Sequence, residues 1–313
     1  MRVGSRAVSA GLAIILAATL SACDRIANLR AKQVLTTANS LYQAQNYKEA
    51  ATKYEEVIQR DPSNMDIYFY LANSYDNLYK PNEPGETINP AMLTKAIENY
   101  KLAAERASDP KMKKLALQYL AAAYGPDKLN DPSQAEPVMQ QMMQLDPSDT
   151  TAYFALARLY EDAGNLDEAE ATLMKAKDTQ PKQSVVYQQL AGYYQRQGDF
   201  DKVIDAILQR TALEPNNPEA HYSIATYYWD EAFRNTRLND QQKRDYTQKG
   251  LVSIDRALQL KPDYVEAIVY KGLLIRVQAG MEKDAKRQQD LLKEATALQE
   301  KAVDLKNKQA AGA

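Results

Sequence analysis

Residues Thr150–Gln183 read TTAYFALARLYEDAGNLDEAEATLMKAKDTQPKQ, and residues Ser184–Asn217 read SVVYQQLAGYYQRQGDFDKVIDAILQRTALEPNN. Laid over each other with a shift of 34 residues, Tyr153, Leu156, Ala157, Tyr160, Gly164, Leu166 and Pro181 fall on Tyr187, Leu190, Ala191, Tyr194, Gly198, Phe200 and Pro215. A second shift of the same length brings the first four onto His221, Ile224, Ala225 and Tyr228. Self-similarity at a fixed period in this range marks a repeat array, in which each repeat buries its apolar face against its neighbours.

The local physics of one repeat is that of two helices. Tyr153, Leu156, Ala157 and Tyr160 stand at i, i+3, i+4 and i+7, one apolar stripe on a helix. Gly164 supplies the left-handed residue that ends it. Asn165 with Glu168 three positions on predicts a capping box opening a second helix, and Asn46 with Glu49 predicts the same earlier in the chain. Ala169, Leu173 and Ala176 make the inward stripe of that second helix, and Pro181 stops it. Small residues at the close approach with tyrosines filling the gap give interdigitated packing. This pattern resembles the tetratricopeptide repeat (TPR), which implies an all-α, right-handed solenoid of about seven helix pairs.

Working outward, the repeats fall near residues 31–64, 65–110, 111–149, 150–183, 184–217, 218–264 and 265–308, with 309–313 as a tail. The second repeat is interrupted by Lys80–Pro90, whose three prolines and one glycine predict an irregular loop. The third is degenerate, with Met139 and Met142 where aromatics usually sit. The sixth carries an insertion near Glu231–Thr247 that lacks proline and glycine, so longer helices are expected there instead of a loose loop.

Ahead of the repeats, Arg2 and Arg6 precede an apolar run from Ala7 to Ala22, too short for a spanning helix and suited to an export signal. Leu20-Ser21-Ala22-Cys23 resembles the lipobox of bacterial lipoproteins. That resemblance implies a cleaved signal over 1–22 and a lipidated Cys23 on a short tether over 23–30, with the repeats held at a membrane of the cell envelope, inner or outer. Cys23 is the chain's only cysteine, so no intramolecular disulfide forms.

Catalytic chemistry has little to work with. The single histidine, His221, falls on the stripe position of Tyr153 and Tyr187 and reads as a packing residue. No second histidine or further cysteine can join it in a zinc site, and no nucleophile elbow, phosphate loop or dinucleotide fingerprint is present. No enzyme activity, metal or cofactor is expected. The formal net charge of −2 offers no basic excess for phosphates, which argues against nucleic acid.

In the family resembled, the first helix of each pair lines a concave groove that holds a peptide or a partner protein. Carrying the register over, Phe154, Gln188 and Tyr222 form one row, Arg158, Gly192 and Thr226 a second, with Trp229 in a third and Arg196 and Asp230 in a fourth. Phe69 joins the first row, and Asn39 and Asn73 the second, where asparagines resemble those with which some TPR proteins hold a peptide backbone. Gly192 is expected to leave room for a ligand beside Tyr222 and Trp229. The resemblance implies a lipid-anchored interaction scaffold of the bacterial envelope, serving assembly of an envelope or secretion complex. The alternative is a regulatory or substrate-feeding subunit of an envelope polysaccharide or peptidoglycan enzyme.

Overall fold

The computed structural model describes residues 30–81 and 89–311. The expected signal peptide, Cys23, its tether and most of the Lys80–Pro90 loop lie outside the described residues. Within them the chain is all helix. Residues 30–43 form α1. Then come α2 (Tyr47–Arg60), α3 (Asp66–Leu78), α4 (Asn89–Arg106), α5 (Pro110–Tyr124), α6 (Pro132–Leu145), α7 (Thr150–Asp162), α8 (Leu166–Thr179), α9 (Ser184–Gln197), α10 (Phe200–Leu213), α11 (Pro218–Arg234), α12 (Asp240–Leu260), α13 (Val265–Gly280) and α14 (Ala285–Ala311). Taken two at a time these are seven helix pairs, the TPR arrangement that the 34-residue period predicts. The chain divides into two compact units, Met1–Leu159 and Tyr160–Ala313.

Pair boundaries follow turn chemistry. Gly164 and Gly198 adopt φ of 79° and 75°, the left-handed conformation that closes a helix and that a Cβ would strain. Asp109, Asp131, Asp199 and Asn217 accept backbone N–H bonds with their side chains at helix starts. The capping boxes predicted at Asn46 and Asn165 do not form; neither side chain makes a cap bond. Their carbonyls take the first helical bonds instead, from Ala50 N and Ala169 N. A full box occurs at Asn239 and Gln242, where ψ of 167° swings the asparagine over the helix start.

In the first unit the core is a ladder of small and aromatic residues. Ala38, Ala50, Ala72, Ala96 and Ala103 have no exposed surface and let helices approach, while Tyr54 and Tyr100, also fully buried, fill the space between pairs. Each such ring contributes about 1.5–3 kcal/mol by leaving water. The third pair is irregular for a reason the sequence shows: Pro137 lies inside α6, where it removes a helical hydrogen bond.

In the second unit the same ladder runs through Ala176, Ala191, Ala225 and Ala257, all fully buried. One rung differs. Arg210 stands one 34-residue period after Ala176 and is only 6% exposed; its guanidinium reaches Glu214 at the end of α10 at 3.6 Å and Glu219 in the first turn of α11 at 3.8 Å. The insertion in the sixth pair lengthens its helices, with α11 at 17 residues and α12 at 21. α14 continues to Ala311, through most of the expected tail; Lys-Asn-Lys-Gln-Ala-Ala holds no breaker before Gly312.

Repetition extends to side-chain contacts. Tyr194 donates to Glu170 at 2.8 Å, and Lys202 binds the same carboxylate at 2.9 Å while lying 4.9 Å from the tyrosine ring centre. In the first unit Tyr75 donates to Glu55, and Lys95 lies 4.7 Å from its ring centre. The same Tyr–Glu–Lys clasp is thus present in both units.

Candidate functional site

The faces of the first helices in each pair are where partner contacts are expected, and on α11 in the second unit that face is aromatic. Asn217 caps α11 by accepting from Glu219 N, and Pro218 at its first turn fixes the entry. From that start Tyr222, Thr226, Trp229 and Phe233 recur at helical spacing on one side. Tyr222 meets Tyr264 and Tyr270 with ring centres 5.2 and 5.4 Å apart. Trp229 sits edge-on to Tyr270 at 5.3 Å and stacks on Phe233 at 5.3 Å with planes 9° apart. Phe233 is 62% exposed. Trp229 is therefore wedged, half-buried, between α11 and α13, and Phe233 is the ring that reaches solvent. Burial among aromatic neighbours pushes the Tyr222 hydroxyl up to about 12, so it stays neutral and can only exchange hydrogen bonds. Tyr228, on the opposite side of α11, is buried against Phe200 and Tyr246.

Other predicted residues of the second unit are already engaged. Arg196 makes a two-point bond to Glu161, Nε to Oε1 at 2.6 Å and NH2 to Oε2 at 2.9 Å. That pairing raises its pKa. A Cβ on Gly192 would stand 3.4 Å from the Arg196 guanidinium. The space left by Gly192 thus holds Arg196, where the sequence reading expected a ligand beside Trp229. Asp230 pairs with Arg234 at 2.6 Å, Thr226 donates to Ser223 O, and Gln188 is exposed.

The first unit differs. Phe69 is 4% exposed, packed against Tyr70, Tyr100 and Tyr119. Asn73 is 5% exposed, and its amide is consumed internally. It accepts from Tyr42 at 2.6 Å and from Asn77 at 2.9 Å, and donates to the Tyr100 hydroxyl at 3.2 Å. Tyr100 in turn donates to Asp76, which also holds Lys128 from the turn after α5. Asn39 is exposed and accepts from Tyr54 at 2.8 Å. Phe69 and Asn73 are therefore interior groups, corrected from the sequence expectation: a ring and an amide on the predicted rows are covered by tyrosines from neighbouring helices. Phe154, half-buried, and Arg158, exposed, also belong to this unit.

The described residues hold no cluster of three or more His, Cys, Asp or Glu side chains able to bind a metal. No described helix is long and apolar enough to cross a membrane. His221, read from its register as a packing residue, is half-buried and bonds a turn carbonyl. Its Nε2 donates to Pro215 O at 2.9 Å, and one period earlier Tyr187 donates to Pro181 O at 2.8 Å. A carbonyl only accepts, so the Nε2–H form is the one present. Phe233 was missing from the sequence-derived face, although its i, i+4 spacing from Trp229 was a readable signal.

Comparison with known proteins matches the repeat in two segments of the chain. A TPR repeat family model matches residues 38–78, and a tetratricopeptide repeat model matches 128–192. No curated protein matches the chain. Among solved structures, the C-terminal part of a TPR repeat-containing protein from Cytophaga hutchinsonii is 16% identical, with a TM-score of 0.58 over 87% of this chain and 98% of that one. MamA is 17% identical, with a TM-score of 0.44 over 63% of this chain and 94% of that one. YrrB, described as a TPR protein with an unusual peptide-binding site, is 18% identical, with a TM-score of 0.41 over 61% of this chain and 89% of that one.

Proposed function

We propose that this tetratricopeptide-repeat protein is a lipid-anchored interaction scaffold of a bacterial envelope, binding a peptide or partner protein on the first-helix faces of its second unit. The observation that carries the reading is the ridge of Tyr222, Trp229 and Phe233 with Tyr270, capped by a phenylalanine 62% exposed. An exposed aromatic backed by a rigid stack is what an interface anchor requires, because its ordering cost is already met. Arg234, one residue beyond it, is ion-paired with Asp230 at 2.6 Å, so the ridge is flanked by a closed charge pair.

Attachment rests on Leu20-Ser21-Ala22-Cys23, whose resemblance to a lipobox makes Cys23 the acceptor of the lipid. Two or more acyl chains hold a protein durably on a bilayer. The role in assembling an envelope or secretion complex rests on that anchor together with the repeat fold. We infer no catalytic role, since the one histidine is spent on a turn carbonyl.

Two measurements test the reading. Cys23→Ser is expected to abolish metabolic palmitate labelling and leave an uncleaved precursor; unchanged labelling rejects the anchor. Affinity purification of the lipidated protein after in-cell crosslinking is expected to recover a partner that Phe233→Ala loses. Recovery of the same partner at the same yield from that variant rejects the ridge as the binding face.

A further inference from the structure

The terminal helix pair presents an apolar cleft of about 630 Å³ along α13 and α14. Its meaning comes from the pair before it. There Ala225 on α11 and Ala257 on α12 form a dry core with Ala267 and Leu274 of α13, and Tyr222, Trp229 and Leu258 pack around it. These α11 and α12 residues are how one pair seats the first helix of the next. One pair later, Tyr222, Ala225, Thr226 and Trp229 correspond to Val269, Gly272, Leu273 and Arg276 on α13, and Ala257 and Leu258 to Ala302 and Val303 on α14. All six line the cleft. Among the described residues Val269 is 40% exposed, Val303 is 54% exposed and Arg276 is exposed, while Gly272 and Ala302 are buried. At the floor, Gly272 lets α13 approach α14 closely, since a Cβ there would stand 3.3 Å from Ala295 O. The cleft is therefore lined by the positions that, one pair earlier, seat the following helix.

Charge selects the occupant. Two cations, Arg276 and Lys306, line the cleft against one carboxylate, Glu266; neither cation is ion-paired among the described residues, and Arg276 donates to Gln299 at 3.1 Å. Nearby lysines are already paired, Lys271 with Asp255 and Lys308 with Asp304. A head-to-tail second copy is a poor fit. The first helix of the array shows Lys32, Gln33, Thr36, Thr37 and Ser40 to solvent, a polar outer face with no stripe to bury.

We propose that the α13–α14 cleft is a second docking site, for one amphipathic helix of a partner protein whose apolar stripe is flanked by carboxylates. The helix takes the place a further first helix would hold, with its stripe on Val269, Leu273 and Val303 and its carboxylates on Arg276 and Lys306. The cleft borders the aromatic ridge and shares Tyr222 and Tyr270 with it, while Trp229 and Phe233 are not among its lining residues.

The test uses the full chain and two synthetic helical peptides of about 20 residues, roughly 30 Å long. Both carry the same i, i+3, i+4, i+7 leucine stripe, one flanked by glutamates and one by lysines. Fluorescence anisotropy is expected to show the glutamate peptide binding and the lysine peptide failing to bind. Val303→Asp is expected to weaken the glutamate peptide about tenfold or more, as loss of a central apolar contact does. The double change Arg276→Glu with Lys306→Glu is expected to reverse the preference between peptides. Each variant's thermal melt is compared with the parent's, and Phe233→Ala is expected to leave peptide affinity unchanged. Equal affinity for the two peptides, no binding by either, or indifference to Val303→Asp overturns the proposal. Light scattering that finds a dimer which Val303→Asp dissociates overturns it in favour of a second copy.

Discussion

Both units of this chain place aromatic residues on the first helices of their pairs, yet the two faces are built to opposite ends. In the first unit, Asn73, Asp76 and Tyr100 are buried and satisfied by one another, by Tyr42 and by Lys128. In the second, Trp229 stacks under a phenylalanine that most of its surface leaves in water, and Val269 and Val303 stand exposed. A buried polar network that is fully paired makes a rigid and specific core, and its members have no bonds left to offer a ligand. An exposed ring on a preformed stack has the reverse property. The same repeat thus spends its aromatics on cohesion in one unit and presents them in the other.

The largest effect is expected where cohesion is concentrated. Tyr100→Ala removes a fully buried ring and strips Asn73 and Asp76 of a partner, and is expected to cost about 3–5 kcal/mol. The measurement is a thermal melt of the full chain. A cost below 1 kcal/mol, of the size expected for an exposed position, would erase the contrast between the units. Next comes the seam of the second unit. Ala191 has no exposed surface, so Ala191→Leu is expected to lose about 1–3 kcal/mol by overpacking. Gln195→Leu, at an exposed position of the same helix, is expected to stay within about 0.5 kcal/mol. Equal losses would mean that the repeat register is misassigned.

A smaller effect concerns acid. Lys114 bonds both Asp146 and Asp149 at 2.7 Å, tying α5 to the turn before α7. The bond from Lys114, with help from Ser148, holds the Asp146 carboxyl down to about 2. A depressed folded-state pKa gives stability that is present above the unfolded value of about 3.9 and is lost as pH falls through the folded one. The melting temperature of the parent is therefore expected to exceed that of Asp146→Asn at pH 6, with the gap closing between about pH 4 and pH 2. A gap independent of pH would show that the ion pair contributes nothing.

Much of this was legible in the residues. The 34-residue period identifies helix pairs because its stripe, turn and stop positions each have a local physical cause, and Gly164 and Gly198 adopt the conformation those causes require. His221 was read as packing, and what it shares with Tyr187 is instead a bond to the carbonyl of the preceding turn. Depth was not legible. Register assigns Phe69 and Asn73 to a row, but whether a row is open depends on rings contributed from Tyr42, Tyr100 and Tyr119. Nor does spacing show that Arg196 folds back over Gly192 to reach Glu161. Phe233 escaped because it falls in the lengthened part of the sixth pair, where the period no longer gives a position.

The central claim is that partners meet the second unit's aromatic ridge, and site-specific photocrosslinking in living cells tests it most directly. A photoreactive phenylalanine analogue replaces Phe233 in one strain and Tyr119 in another, the latter an exposed ring of the first unit at 37% exposure. The account predicts a discrete heavier adduct from position 233 and none from position 119. Adducts of equal yield from both positions, or from 119 alone, would contradict it.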